Sequence, residues 1–149
     1  MTPSPGTYAL ILRSTKTSKL LVGTLGEMQV QPGFYVYVGS AFGPGGLQGR
    51  LSHHLKPPVS PHWHLDILRQ AAEVVDVWVL EGPEKREHAW ARALCAWPEC
   101  SIPLPRFGAS DCRCPAHLVY TPVFPPEEWF EKRLSASRWA GWQPDTPWR

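Results

Sequence analysis

The sequence predicts one α+β domain: a small antiparallel sheet of about three strands, flanked by helices, with a Cys/His-containing extension towards the carboxyl end. Three observations lead there. The first forty residues break into β-prone runs separated by Gly and Pro. Later stretches place leucines three or four apart, as on one helix face. One further β-prone run, Val74 to Leu80, lies between helical stretches. At 149 residues and 43% hydrophobic, the chain has the size and apolar content of one cored domain.

Gly6 to Arg13 follows Pro5 and reads as the first strand. Thr15 to Ser18 form a polar turn, and Lys19 to Val22 is a short second run closed by Gly23. Gly26 to Pro32 is mixed. Pro32-Gly33 then turns the chain into Phe34 to Val38, where aromatic and β-branched residues alternate. Leu47, Leu51 and Leu55 form one helical stripe, flanked by Arg50 and His54. Pro57-Pro58 stops that helix. His62 to Ala72 reads as a second helix with Leu65 and Leu68 inward. Val74 to Leu80 is a strand ended by Gly82-Pro83. Glu84 to Trp97 is a third helix: Pro83 presets its entry, Glu84 suits the positive end of its dipole, and Pro98 ends it. Ser101 to Ser110 is an irregular loop, His117 to Thr121 a strand and Pro126 to Ser135 a helix. Residues 136–149 read as a tail, ordered only where its tryptophans (Trp139, Trp142, Trp148) dock. The expected division is a domain over 1–121, then a helix and Trp-rich tail over 122–149.

The net charge of +2 conceals an asymmetry. Up to Arg69, six Lys/Arg stand against Glu27 and Asp66 alone, with four histidines besides. The remainder is net acidic. A basic first half favours an anionic partner, or is simply an uneven solvated surface. No run of about 18 apolar residues is present, so no membrane span is expected. No basic segment precedes an apolar leader either, so a cytoplasmic address is expected. There the four cysteines are expected as thiols or metal ligands.

Residues 35–55 read YVYVGSAFGPGGLQGRLSHHL. Side-chain bulk is lost between Gly39 and Gly46, and Arg50, His53 and His54 follow. Backbone N–H groups approach a phosphate closely only where side chains are small, and a helix start favours anions. Gly39, Ser40, Gly45 and Gly46 are therefore candidates for substrate contact, with Arg50 as the nearby cation. A turn-only role for the glycines is the competing reading.

Gly6-Thr7-Tyr8 and Tyr37-Val38-Gly39, with an arginine-bearing helix and a glutamate in a later helix, resemble the GIY-YIG nuclease superfamily. Thr7 departs from the first triplet; Val38 is a common variant of the second. The strings YVYVGSA, HWHLD and FGASDCRCPAHL look like those of a small stand-alone subgroup of poorly defined function. The resemblance covers about Gly6 to Thr121. It implies an endonuclease hydrolysing phosphodiester bonds in DNA, structured or damaged, with RNA as an open alternative. It implies Tyr8 as general base, Tyr37 as its support and Arg50 on the phosphate. His54 would assist water activation or bind phosphate. Glu87 would be the single protein ligand of magnesium or manganese, and one carboxylate with waters and substrate phosphate suits magnesium. A phenol titrates near about 10, so Tyr8 must be tuned to act at neutral pH. Ser40 stands where some members carry lysine, which leaves a second cation unassigned.

Cys112, Cys114 and His117 lie within six residues and could hold structural zinc with a fourth ligand. His88, Cys95, Cys100 and the histidines of HWHLD are candidates; members of the subgroup often carry Cys where His88 stands. The spacing is not that of a standard zinc ribbon or finger, and a reduced, half-buried loop is the alternative. His62 and His64 contact substrate at the pocket edge or cap a helix around an inward Trp63. Two other function classes stay open: a catalytically silent nucleic-acid-binding module, and a zinc-stabilised interaction domain. Both allow Tyr8 and Tyr37 to be packing residues of a sheet, and Arg50 and Glu87 to be solvated helix charges.

Overall fold

A computed structural model describes residues 4–56, 64–109 and 112–139. Its strands in chain order are β1 (Gly6–Ser14), β2 (Ser18–Leu21), β3 (Glu27–Val30), β4 (Gly33–Ala41), β5 (Glu73–Glu81), β6 (Leu118–Thr121) and β7 (Ser137–Arg138). Its helices are α1 (Gly46–Leu55), α2 (His64–Leu68), α3 (Glu87–Cys95) and α4 (Glu127–Leu134). Five strands form one antiparallel sheet in the order β6-β4-β1-β5-β7, while β2 and β3 form a separate hairpin.

β1 lies at the centre of the sheet and is buried on both faces, which explains its nearly unbroken apolar run. Residues directly opposite in an antiparallel pair share a face. Tyr8 opposes Gly39, Leu10 opposes Tyr37, and Leu12 opposes Tyr35. These side chains form one core layer with Leu47 and Leu51 of α1 and Leu65 and Leu68 of α2. Ala9, Ile11, Val36, Val38 and Trp78 point the other way. They meet Trp90 and Leu94 of α3 and Phe130 and Leu134 of α4. Each large apolar side chain buried in these layers contributes about 1.5–3 kcal/mol relative to exposure.

The expected sheet of about three strands is corrected to five, and the reasons are physical. β6 offers only four residues and pairs with β4 through contacts distant in sequence. β7 falls where a tail was expected, and Ser137–Arg138 are exposed polar residues without a strand signature. They pair with Val79 and Trp78 because Arg138 is anchored: its Nε and Nη2 donate to the two carboxylate oxygens of Asp76, each at 2.9 Å. The guanidinium also lies 4.9 Å from the Trp78 ring centroid. Trp139 follows and donates its N–H to the Val77 carbonyl at 2.9 Å. β3 hides in the mixed 26–32 stretch; only Met28 and Val30 alternate inward, too short a pattern to read locally. α3 starts at Glu87, later than expected, and Glu84 instead pairs with Arg86 ahead of it. His62, Trp63, Trp142 and Trp148 lie outside the described residues. Among the described residues, no helix is long and apolar enough to cross a membrane.

Candidate active site

At one end of the sheet, Tyr8 of β1 and Tyr37 of β4 project towards α1. The Tyr8 hydroxyl lies 2.7 Å from His54 Nε2. Tyr37 meets the same imidazole edge-on, with ring centroids 6.5 Å apart, and Phe107 at 6.1 Å. Arg50, one helical turn before His54, hydrogen-bonds the Tyr8 hydroxyl. Gly39 makes the arrangement possible. The Tyr8 ring occupies the space that a Cβ at position 39 would need, so a side chain there and the phenol are mutually exclusive.

The electrostatics fix the protonation states. Burial pushes the Tyr8 phenol well above its ordinary value; Tyr37 and Glu87 add to this and Arg50 opposes it. Burial and then Glu87 push Tyr37 up as well. His54 moves the other way, down to about 3, through burial and then Arg50, His53 and Arg69. At neutral pH Tyr8 is therefore a phenol and His54 a neutral imidazole; with the imidazole proton on Nδ1, Tyr8 donates and Nε2 accepts. Neither phenol lines an open hollow. Tyr8 is 1% exposed and Tyr37 9%, while Arg50, Ser40 and Glu87 are half-buried and reachable.

Glu87 opens α3 and approaches from the opposite face of the sheet. The backbone N–H of Arg86, one residue earlier, donates to Thr7 Oγ1 at 3.3 Å. Thr7 is fully buried and directly opposes Ser40 across β1 and β4. Burial raises the Glu87 pKa, but the polar side chains of His117 and Ser40, with the nearby His88, more than offset that and hold it below its ordinary value. His117 Nδ1 lies 2.6 Å from Glu87 Oε2, a close contact poorly aligned for a hydrogen bond. His117 Nε2 lies 3.1 Å from Cys112 Sγ. The His117 backbone is pinned too, its N–H to the Phe107 carbonyl and its carbonyl to the Val38 N–H. A polar chain thus runs Ser40, Glu87, His117, Cys112. Thr7 escaped the sequence reading, although a hydroxyl in the middle of the first triplet was its signal. Ser40, expected on substrate, stands beside the Glu87 carboxylate and helps lower its pKa.

The remaining expected residues divide. Gly45 caps α1 at φ 90° and Gly46 has φ 58°, conformations that favour glycine. The Gly46 N–H donates to the Gly43 carbonyl at 3.2 Å and the Leu47 N–H to the Ser4 carbonyl at 2.8 Å. A phosphate at this helix start would compete with bonds already made. His64 Nδ1 accepts from the Gly108 N–H at 2.9 Å, and its ring packs 5.3 Å from Phe107. Burial pushes its pKa down, so it serves as a neutral brace between α2 and the 107–108 loop. Arg69 is a further residue that the sequence reading passed over. Its Nη1 is buried with no hydrogen-bond partner among the described residues, and its charge helps keep His54 neutral.

Two groups of side chains have the donor types and proximity to hold a metal ion: His88 with Cys112 and His117, and His53 with His54 and Asp66. In each, the ligand atoms lie within 4.8 Å of one another. Cys114 is outside both. It is buried, and its thiol is pushed up to about 11 by that burial and by Cys112. The Cys112 thiol is lowered despite its own desolvation, by hydrogen bonds from Cys114 and His117. The four cysteines are free.

A family model described as "Domain of unknown function DUF123" matches residues 7–137. Neither the curated proteins nor the solved structures gave a match.

Proposed function

The chain belongs to this family of unknown function, and from that premise we propose that it is a metal-dependent endonuclease of GIY-YIG type, hydrolysing phosphodiester bonds in DNA. One observation carries the reading: Tyr8, Tyr37, Arg50 and His54 meet at one end of the sheet, with Glu87 close enough to bias both phenols. A cytoplasmic location and a structured or damaged DNA substrate belong to the same reading.

The proton path follows from the protonation states. A neutral phenol is a poor base, but the Tyr8 proton already faces an acceptor in His54 Nε2. A phosphate bound at Arg50 brings negative charge beside His54 and offsets the repulsion from Arg50 and Arg69. Tyr8 and His54 then act as one relay: the phenol oxygen accepts the proton of the attacking water as its own proton passes to Nε2, so that no free phenolate forms. The water oxygen bonds to phosphorus as the bond to the leaving sugar oxygen breaks, and that oxygen takes a proton from solvent. Arg50 stabilises the charge that develops on the phosphate. Tyr37 and Phe107 wall the pair from solvent. Glu87 supplies hard carboxylate oxygens, and a carboxylate accepts at about four lone-pair positions, so Ser40 and His117 leave it capacity for a cation. Magnesium or manganese held there would neutralise phosphate charge and lower the pKa of bound water.

The burial of Tyr8 supports a second reading, a nucleic-acid-binding module without turnover that uses Arg50 and the exposed His53. One experiment separates the two. Labelled duplex, branched and damaged DNA, and RNA, are incubated with magnesium or with chelator. The nuclease reading expects metal-dependent product, reduced about 100-fold or more in Tyr8→Phe and in Glu87→Ala. Product that persists in both variants removes the proposed site. Salt-sensitive binding lost in Arg50→Ala, with no product from any substrate, establishes the binding module instead.

A further inference from the structure

Behind the candidate site lies a cluster that the hydrolytic reading does not use. We propose that His88, Cys112 and His117 form a zinc site whose fourth position is open, and that Glu87 acts on it from behind through His117. The site joins the start of α3 to the loop that leads into β6.

Three observations point the same way. The ligand atoms of His88, Cys112 and His117 lie within 4.8 Å of one another, close enough to surround one cation. A thiolate and two imidazoles are the soft and intermediate donors that zinc takes at about 2.0–2.3 Å. The two nitrogens of His117 are divided between two tasks. Nε2 faces Cys112 Sγ at 3.1 Å, and Nδ1 faces the Glu87 carboxylate at 2.6 Å. A carboxylate on the far nitrogen of a metal-binding histidine fixes its tautomer and ring orientation and raises its basicity. His88 is next to Glu87 in α3, and its ring centroid lies 5.8 Å from that of His117. On binding, zinc takes the place of the proton shared between Cys112 Sγ and His117 Nε2, and that proton is released to solvent.

Cys114 does not belong to the first set of ligands, contrary to what the sequence spacing suggested. It is buried, and its backbone N–H donates to Cys112 Sγ at 3.4 Å. It supports the thiolate of Cys112. Among the described residues three protein ligands reach this point, which leaves zinc one position for water or an exogenous group, as in zinc sites with an accessible coordination position. The site stands whether or not the chain cleaves DNA.

Metal content is the test, independent of any activity. The full chain is loaded with zinc, dialysed against metal-free buffer and assayed for bound zinc. Wild type is expected to retain one equivalent. Cys114→Ala is expected to retain it as well, and Cys112→Ala and His88→Ala to lose it. His88 is exposed, so its variant is not a folding risk of the kind that buried His117 presents. Glu87→Gln is expected to keep zinc with affinity weakened about 10–100-fold. Cobalt(II) in place of zinc is expected to give a thiolate-to-metal absorption band that vanishes in Cys112→Ser. Wild type without retained zinc, or zinc retained equally by Cys112→Ala and His88→Ala, overturns the proposal. Loss of zinc in Cys114→Ala overturns the three-ligand assignment.

Discussion

Each face of the sheet buries ionisable side chains, and two of them, Asp76 and His54, are treated in opposite ways. On the α3/α4 face, Asp76 is almost wholly buried and meets a guanidinium, with Arg138 closing on both of its oxygens. The Val77 N–H adds a third bond. On the α1/α2 face, His54 is equally buried, but Arg50, His53 and Arg69 all press it towards neutrality. One arrangement satisfies a charge and fastens β7 to the sheet. The other suppresses a charge and keeps an imidazole lone pair facing a phenol. Packing needs only the first; the second costs stability and makes sense where a proton must move.

Acid separates the two faces most strongly. An unfolded imidazole takes its proton near about 6.5. Folded His54 does so only near about 3. Between those values the unfolded chain binds more protons, so this contribution is complete above about pH 6.5 and is lost as pH falls towards 3. Thermal midpoints measured across that window are expected to drop steeply in wild type. They should drop less in His54→Gln, which cannot titrate. Equal slopes in the two proteins would remove the inverted electrostatics on which the comparison rests.

Breaking the other face should give a loss of stability without such a pH signature. Arg138→Ala removes charge-assisted bonds to a buried carboxylate and is expected to cost about 2–3 kcal/mol in denaturant unfolding. Arg138→Lys recovers only part of this, because an ammonium cannot bridge both oxygens in one plane. An unchanged midpoint in Arg138→Ala would mean that β7 is held by something else.

Gly39→Ala tests the packing beneath Tyr8. The new methyl falls on the phenol ring, so a cost of about 1–3 kcal/mol is expected, together with a disturbed Tyr8–His54 bond. An Ala variant as stable as wild type would show that the ring has room to move.

The smallest effect lies where α3 begins. Thr7→Val keeps the shape but removes the acceptor for the Arg86 N–H, at an expected cost of about 1 kcal/mol. If that bond positions α3, the nuclease activity proposed above falls further in the variant than stability does. Proposed activity unchanged by the substitution would reduce Thr7 to a packing residue.

The sequence by itself determined the α+β class, the central pair of strands, α1 and its two basic groups, and the stops at Pro and Gly. Those features are local: a two- or four-residue period and a missing side chain are legible from a few neighbours. The set Tyr8, Tyr37, Arg50, His54 and Glu87 came from the resemblance of its motifs to a known family, not from composition or periodicity. Only the tertiary structure decided that the sheet has five strands, since β7 exists because Asp76 draws in Arg138 from 62 residues away. Only it decided that His54, read as a flank residue of a helix, is buried and neutral. It alone brought Glu87 to Ser40 and His117, and the neighbouring Arg86 N–H to Thr7, all far off in the chain. Side-chain periodicity reports which face a residue takes, but burial, charge and proton position depend on which distant elements close over that face.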